Sequence, residues 1–469
     1  MGSASEVRVW ACDEFGRAEL GDARRVSRVV AMAATAAQQP SGRVSAVFSN
    51  DAQRQGAYDF LESPHIDAAP LVDAMGRSCA TRCTDEKFVF VPIDGSSLTI
   101  VDHAQAKGFG HVGNYMLGLR GLKVVTAIAV APSGTPIGVA HLEWWNRPRY
   151  EENSGNRPPK QRESQKWCDT IDAVTCRFRE EAADVRLWFQ LDREGDSKTC
   201  LIPLAESGHW FTVRSQYNRL LMREGEKRRY LHNKLRRRPI TGEYFVDIPR
   251  SGNQPGRRAR LVVRTGSFTV VMREKWNDKI VSLHLNVVRI KEVGRRRGQS
   301  PLEWTLLTNR PIDTLVEVQQ VVDGYCQRWR IEEFHRAWKS GHCDIETSQL
   351  RGSPQVQKWA TILAAVAIRA ERLKYLARNC PSEPASKELS SAELLSLRFF
   401  KERQKKSNEI LPDRPPTIQE AVIWIAQIGG YIHRPGQGPP GVITIQRGLD
   451  RILPGAEIFE ALGPTKKKR

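Results

Sequence analysis

The chain is 469 residues long, enough for about three domains that each bury a core. Its 72 Lys and Arg against 53 Asp and Glu leave a net charge of +19, which favours a polyanionic partner over a neutral small molecule. No apolar run approaches the roughly 18 residues of a membrane span, no signal peptide is evident, and the nine cysteines form no CxxC pair. A membrane protein, a disulfide scaffold and a cysteine zinc site are therefore disfavoured, and reduced thiols in a cytoplasmic setting are expected.

Residues 1–70 read as a small helical module. Asp22 is placed to cap a helix running from Ala23 to Gln39, which Pro40-Ser41-Gly42 ends. A second helix covers Asp51 to Glu62 and stops at Ser63-Pro64. The basic residues of this module suit a DNA-binding unit.

From residue 86 to 192 the pattern turns strand-like. Phe88 to Ile93 runs straight into Asp94. Lys123 to Val130 and Pro136 to Leu142 flank a Pro-Ser-Gly-Thr turn and read as a hairpin. A polar helix from Glu163 to Ala183 precedes Val185 to Leu191, which ends at Asp192. Two apolar strands thus each lead into an aspartate. A turn or helix cap would explain one of them; two suggest a site at the strand ends of an α/β sheet.

Residues 195–310 are expected to form a β-rich insertion into that core. Arg214 to Arg238 holds ten Lys and Arg against two Glu, and further clusters fall at Arg257, Arg258 and Arg260 and at Arg295 to Arg297. Strand-like runs at Ala259 to Arg264, Ser267 to Met272 and Ile280 to Val288 separate them, which suggests a basic sheet facing DNA. Beyond residue 340 the chain is helical again, with runs at Val356 to Ala377, Ser391 to Gln404 and Thr417 to Ile428, the last closed by Gly429-Gly430.

Between insertion and tail lies the most informative segment, Tyr325 to Lys339. On a helix with about 100° per residue, Tyr325, Arg328, Glu332 and Lys339 share an arc of about 60°. Ile331, Phe334 and Trp338 fall on the far side and form an apolar face for the core. A carboxylate among a tyrosine, an arginine and a lysine suits a metal-assisted reaction on phosphate. Asp94, Asp192 and Glu332 are three hard oxygen donors fitted to Mg²⁺ or Mn²⁺. Two such ions about 4 Å apart assist in-line displacement at phosphorus. Rival motifs fail: Gly108 to Gly113 matches GxGxxG but no helix follows, His141-Leu142-Glu143 has no Pro-Cys-x-x-Cys partner, and no P-loop is present, so no nucleotide cofactor is expected.

These residues resemble a known family. Ile93-Asp94-Gly95-Ser96, Leu191-Asp192-Arg193-Glu194 and the spacing Tyr325-(2)-Arg328-(3)-Glu332-(6)-Lys339 resemble the DDE transposases of the insertion-sequence-four family. Leu20 to Arg25, Gln55 to Phe60, Glu143 to Pro148 and Pro301 to Trp304 extend the likeness over most of the chain. The resemblance implies an α/β fold: an RNase H-like catalytic core with a β-rich insertion, flanked by an N-terminal helical DNA-binding domain and a C-terminal helical dimerisation domain. The expected boundaries are 1–70, 71–352 and 353–469.

By matching position, Asp94, Asp192 and Glu332 would be catalytic and hold two Mg²⁺ ions, for which Mn²⁺ can substitute. Tyr325, Arg328, Lys339 and Arg214 would contact the DNA backbone, and Trp304 and Trp329 would wall a flipped base. Arg24 and Arg25 would meet DNA from the N-terminal module. The implied activity is cut-and-paste transposition through a DNA hairpin, by a homodimer acting on double-stranded inverted repeats and target DNA near a bacterial nucleoid. A catalytically silent regulator and a structure-specific nuclease on the same core are the alternatives.

Overall fold

The computed structural model describes residues 6–102, 107–113, 115–147, 163–222, 229–248, 256–273, 280–294, 301–405, 407, 409–432 and 439–462. The basic cluster at Arg295 to Arg297, part of the run from Arg214 to Arg238, and Pro148 lie outside the described residues.

The N-terminal helices are α1 (Glu6–Phe15), α2 (Ala23–Gln38), α3 (Val44–Val47), α4 (Asp51–Glu62) and α5 (Ala69–Thr81). Asp22 caps α2 by accepting from the Arg24 amide, and Asn50 caps α4 by accepting from the Gln53 amide, as short polar side chains do at helix starts. The central sheet begins with β1 (Phe88–Thr99), β2 (Gly110–His111), β3 (Arg120–Val130) and β4 (Pro136–Trp145). Helix α6 (Glu163–Glu181) leads to β5 (Arg186–Leu191), and α7 (Lys198–Glu206) leads to β6 (Trp210–Arg214). Then follow β7 (Leu220–Leu221), α8 (Leu231–Arg236), β8 (Gly242–Ile248), β9 (Arg257–Arg273), β10 (Ile280–Val293) and β11 (Glu303–Thr308). The remaining helices are α9 (Leu315–Gln327), α10 (Trp329–Lys339), α11 (Ser353–Asn379), α12 (Ser391–Gln404), α13 (Ile418–Ile428) and α14 (Val442–Leu462).

Strand β3 pairs antiparallel with β4 and β1, β1 runs parallel to β5, and β5 runs parallel to β6. The hairpin of β3 and β4 and the parallel β5-α7-β6 unit make a mixed sheet consistent with an RNase H-like core. The sheet does not stop there. β6 pairs with β11, β11 with β10, and β10 with β9, so the segment expected as an insertion is hydrogen-bonded into the same sheet.

Both faces of the sheet are covered, which is why β1 and β5 read as unbroken apolar runs. Val89, Val91, Ile93, Leu187 and Phe189 pack with Ile171 and Phe178 of α6 on one face. Phe90 and Trp188 face the other way and join a core shared by the N-terminal helices, α9, α10 and the first half of α11. A third cluster, with Leu397, Trp424 and Ile452, holds α12, α13 and α14 together against Leu373 and Leu376 at the end of α11. Helix α11 therefore belongs to both bodies.

The structure corrects the sequence reading in three places. β1 does not end at Asp94 but continues to Thr99, because β3 goes on pairing with it after β5 has stopped. Ala259 to Met272 is one uninterrupted strand, since β10 keeps register with β9 through Thr265 and Gly266. The segment from Tyr325 to Lys339 is not a single helix: α9 ends at Gln327 and α10 starts at Trp329, with Arg328 closing one and opening the other. There the Arg328 amide bonds to the Tyr325 carbonyl and the Ile331 amide to the Arg328 carbonyl, a tighter three-residue turn.

Candidate functional site

The parallel register of β1 and β5 ends at Ile93 against Leu191. Asp94 and Asp192 are the next residues on strands about 4.8 Å apart, so the sheet itself sets the two aspartates side by side. β5 breaks off there into a turn over Arg193–Gly195, which the Asp192 carboxylate caps by accepting from the Glu194 amide at 2.7 Å. Glu332 enters from the first turn of α10. That helix is fixed by Ile331, Phe334 and Trp338, all fully buried, with the Trp338 indole donating to the Ala360 carbonyl at 2.9 Å.

Arg328 ties the group together. Its guanidinium donates to Glu332 at 2.8 Å and lies 4.0 Å from the Asp94 carboxylate. It does not neutralise the cluster. Burial first, then the charges of Asp192, Glu332 and Glu194, push the Asp94 carboxyl up to about 7, against the opposing pull of Arg328. The carboxylates are thus close enough to repel one another, and relief by a cation is what such a set lacks.

Among the described residues no three His, Cys, Asp or Glu side chains already converge as a metal cage. The hydrogen bonds give the reason: Asp192 is turned to its own loop and Glu332 to Arg328.

Two members of the cluster were not singled out from sequence. Glu194 lies close enough that a Cβ on Gly95 would sit 3.4 Å from its carboxylate, and burial and Asp192 raise its own carboxyl. His335 is buried, 3.8 Å from Asp94 through Nδ1 and 3.1 Å from the Thr126 hydroxyl through Nε2. Burial first, and then Lys339 and Arg328, hold its pKa down to about 3, so it stays neutral. Its place was legible: three residues after Glu332, it falls about 20° from Arg328 on the helical wheel.

Beside the carboxylates Tyr325 is buried with its ring edge-to-face on Trp304, centroids 5.2 Å apart. Arg328 stands 6.0 Å over the Tyr325 ring. Burial raises the Tyr325 pKa against the opposing charges of Arg328 and Arg214, and Arg214, at the end of β6, donates to the Glu303 carbonyl at 3.3 Å. Lys339 lies 3.6 Å from Glu346, which also accepts from the Thr99 amide at 2.8 Å and so pins α10 to the end of β1. Trp329 is 54% exposed at the start of α10.

Arg24 and Arg25 lie apart, on α2. Arg24 is exposed and paired with Asp22 at 2.9 Å, whereas Arg25 donates to the Leu20 carbonyl at 2.9 Å. All nine cysteines are free, and no helix among the described residues is long and apolar enough to cross a membrane.

A carboxylate cluster at the ends of parallel strands, bordered by arginine, lysine and tyrosine on a strongly basic chain, defines a nucleic-acid enzyme of the metal-dependent phosphoryl-transfer class. Residues 7–66 match the family model for transposase DNA-binding domains and residues 217–368 that for transposase DDE domains. The chain is a DDE transposase, a DNA-binding enzyme that cleaves DNA with divalent metal. The second match encloses Trp304, Tyr325, Arg328, Glu332 and Lys339; Asp94 and Asp192 precede it.

Proposed function

We propose that this chain is a cut-and-paste transposase of the insertion-sequence-four family, akin to the transposase of transposon five. The observation that carries the reading is the juxtaposition of Asp94 and Asp192 at the end of the β1 and β5 register, with Glu332 held over them through Arg328. Asp94, Asp192 and Glu332 would hold two Mg²⁺ ions, with Glu194 adding charge nearby; the hard oxygen donors and the raised Asp94 carboxyl fit that group. Bound there, the ions supply charge stabilisation to the attacking and leaving oxygens.

The side chains do the positioning. Arg328 is released from Glu332 to a phosphate oxygen, Lys339 and Arg214 grip neighbouring phosphates, and Tyr325 fixes the strand against Trp304. Trp329 presents an open indole face on which an unstacked base can rest, worth about 1–3 kcal/mol. Neutral His335 orients Asp94 rather than taking a proton. Water nicks the transposon end, the freed 3′-hydroxyl closes a hairpin on the opposite strand, a second water opens it, and the 3′-hydroxyls attack target DNA. One site serves all four displacements. Arg24 and the rest of α2 and α4 read the inverted repeats, with Arg25 shaping the module. Leu395, Phe399 and Ile458, exposed on α12 and α14, support a homodimer formed through the C-terminal helices.

Glu332→Ala tests this reading: it should bind duplexes carrying the inverted repeats and fail to cleave them in Mg²⁺. Cleavage at the wild-type rate would overturn the site. Wild-type protein that binds without cleaving would be a regulator, and one that cleaves but never joins precut ends to plasmid would be a nuclease.

A further inference from the structure

The carboxylates have a second cationic approach, on the side away from Arg214, Tyr325 and Trp304. Lys123 on β3 pairs across the sheet with Ser97 on β1 and with Trp145 on β4. Ser97 is three residues beyond Asp94, about 10 Å along the strand. The Lys123 ammonium lies 5.9 Å from the Trp145 ring centre, and among the described residues no carboxylate stands at ion-pair distance from it. Arg147, Glu163, Glu194 and Lys339 are within its electrostatic reach, and the last two place it at the rim of the same site. An ammonium held half-buried on an indole platform, with no ion pair among the described residues, is placed to meet a phosphate.

The loop joining β2 to β3 continues this rim. The glycine-rich run from Gly108, which holds no dinucleotide helix, is pinned to the end of β4. Asn146 donates to the Gly108 carbonyl at 2.8 Å and accepts from the Gly110 amide at 2.5 Å. Gly110 has to be glycine here, since a Cβ would come within 2.3 Å of the Arg147 carbonyl. Lys107, at the base, donates its ammonium to the Val101 carbonyl at 3.0 Å and its amide to the Asp102 carboxylate at 3.2 Å, and among the described residues its ammonium makes no ion pair. The tip carries Met116 at 88% exposure and Leu117 at 67%, followed by Leu119 at 39%. A short turn with a left-handed glycine, Gly118 at φ 61°, holds these apolar side chains outward. Apolar side chains standing out beside phosphate-binding cations are the arrangement with which proteins wedge a base step and bend a duplex.

We propose that Lys107 and Lys123, with the apolar tip at Met116, Leu117 and Leu119, form a second DNA-binding surface that takes the target duplex during joining. It rests on the transposase reading above, which assigns the opposite rim to the transposon end. Charge complementarity selects DNA as the occupant. Position selects the target: the surface lies across the carboxylates from Arg214, Tyr325 and Trp304, with Lys339 at the boundary between the two. The wedge suits a duplex that must be bent to present a phosphate.

Lys123→Gln and the double variant Leu117→Ser, Leu119→Ser test this. Precut ends and ends with flanking DNA are supplied to each protein, and joining to plasmid and cleavage are followed separately. Joining should fall about tenfold more than cleavage in both variants. Equal losses in the two steps, or no loss in joining, would overturn the assignment to target. A parallel measurement needs no catalysis: fluorescence anisotropy on a duplex lacking the inverted repeat, across a salt series. Lys123→Gln should lower the salt slope by about one, and an unchanged slope and affinity would refute the surface. If wild-type protein neither cleaves nor joins, the transposase reading fails, and the anisotropy result still decides whether this rim binds DNA.

Discussion

Asp94→Asn is expected to stabilise the metal-free protein at alkaline pH, although it removes a residue proposed to be essential. Folding raises the Asp94 carboxyl from 3.8 to about 7. An acid whose affinity for its proton rises on folding costs nothing below pH 4, and its cost grows as pH climbs through 7. At about 1.4 kcal/mol per pH unit, the full difference approaches 4 kcal/mol at pH 8. With 17% of the Asp94 side chain still exposed, solvent screening brings the expected gain to about 2–4 kcal/mol. Asn keeps the shape and lacks the charge. Urea unfolding in EDTA, followed by the fluorescence of buried Trp188 and Trp338, reads the difference. The advantage should shrink by more than half at pH 5, where the wild-type carboxyl is largely protonated. Adding Mg²⁺ at pH 8 should stabilise wild type by mass action and the variant much less. A variant no more stable than wild type at pH 8 in EDTA, or an advantage independent of pH, would refute the like-charge account of the cluster.

Further expectations concern how the site is held. Trp338→Ala should cost about 3–5 kcal/mol of core stability, since it empties a fully buried site between Phe334 and Trp144, whereas Trp338→Phe should cost about 1 kcal/mol for the lost bond to Ala360; chemical denaturation separates the two. Glu181 on α6 receives Arg17 at 2.9 Å and Arg77 at 2.9 Å, and these partners hold its carboxyl down at about 2. Its contribution is present above about pH 4.5 and lost as pH falls towards 2, so Glu181→Gln should loosen the N-terminal helices at pH 7, measured by hydrogen exchange in α1 and α5, and remove that acid dependence. A wild-type exchange pattern at both pH values would count against the network.

What the sequence disclosed was mostly local. The Asp22 cap, the β3–β4 hairpin and the apolar side of α10 are written in short-range pattern, and each appears in the structure. The meeting of Asp94 and Asp192 was legible because each follows an apolar strand, although the parallel register that makes them neighbours is a long-range pairing that no window contains. The break at Arg328 was hidden, since both its flanks have helical composition and only the demands of its contacts with Asp94 and Glu332 set it apart. Glu194 was overlooked because its importance comes from a turn that folds it back towards Gly95. The role of α11 in two cores was hidden for a similar reason: its burial is apolar on nearly every side for most of its length, so composition marks no boundary.

The continuity of the sheet has a consequence for how such a protein can be altered. From Leu191 through Val213 and Leu307 to Val287, every step is a ladder of backbone hydrogen bonds, with no hinge between the carboxylate end and the long β9–β10 ribbon. The ribbon is a cantilever built into the wall, not a module hung from it. Lengthening or shortening its free end in paired residues alters reach while leaving the site in place. Excising it whole would strip β11 of its partner and bare a strand edge to other chains, and a one-residue slip at β11 would turn Trp304 from one face of the sheet to the other.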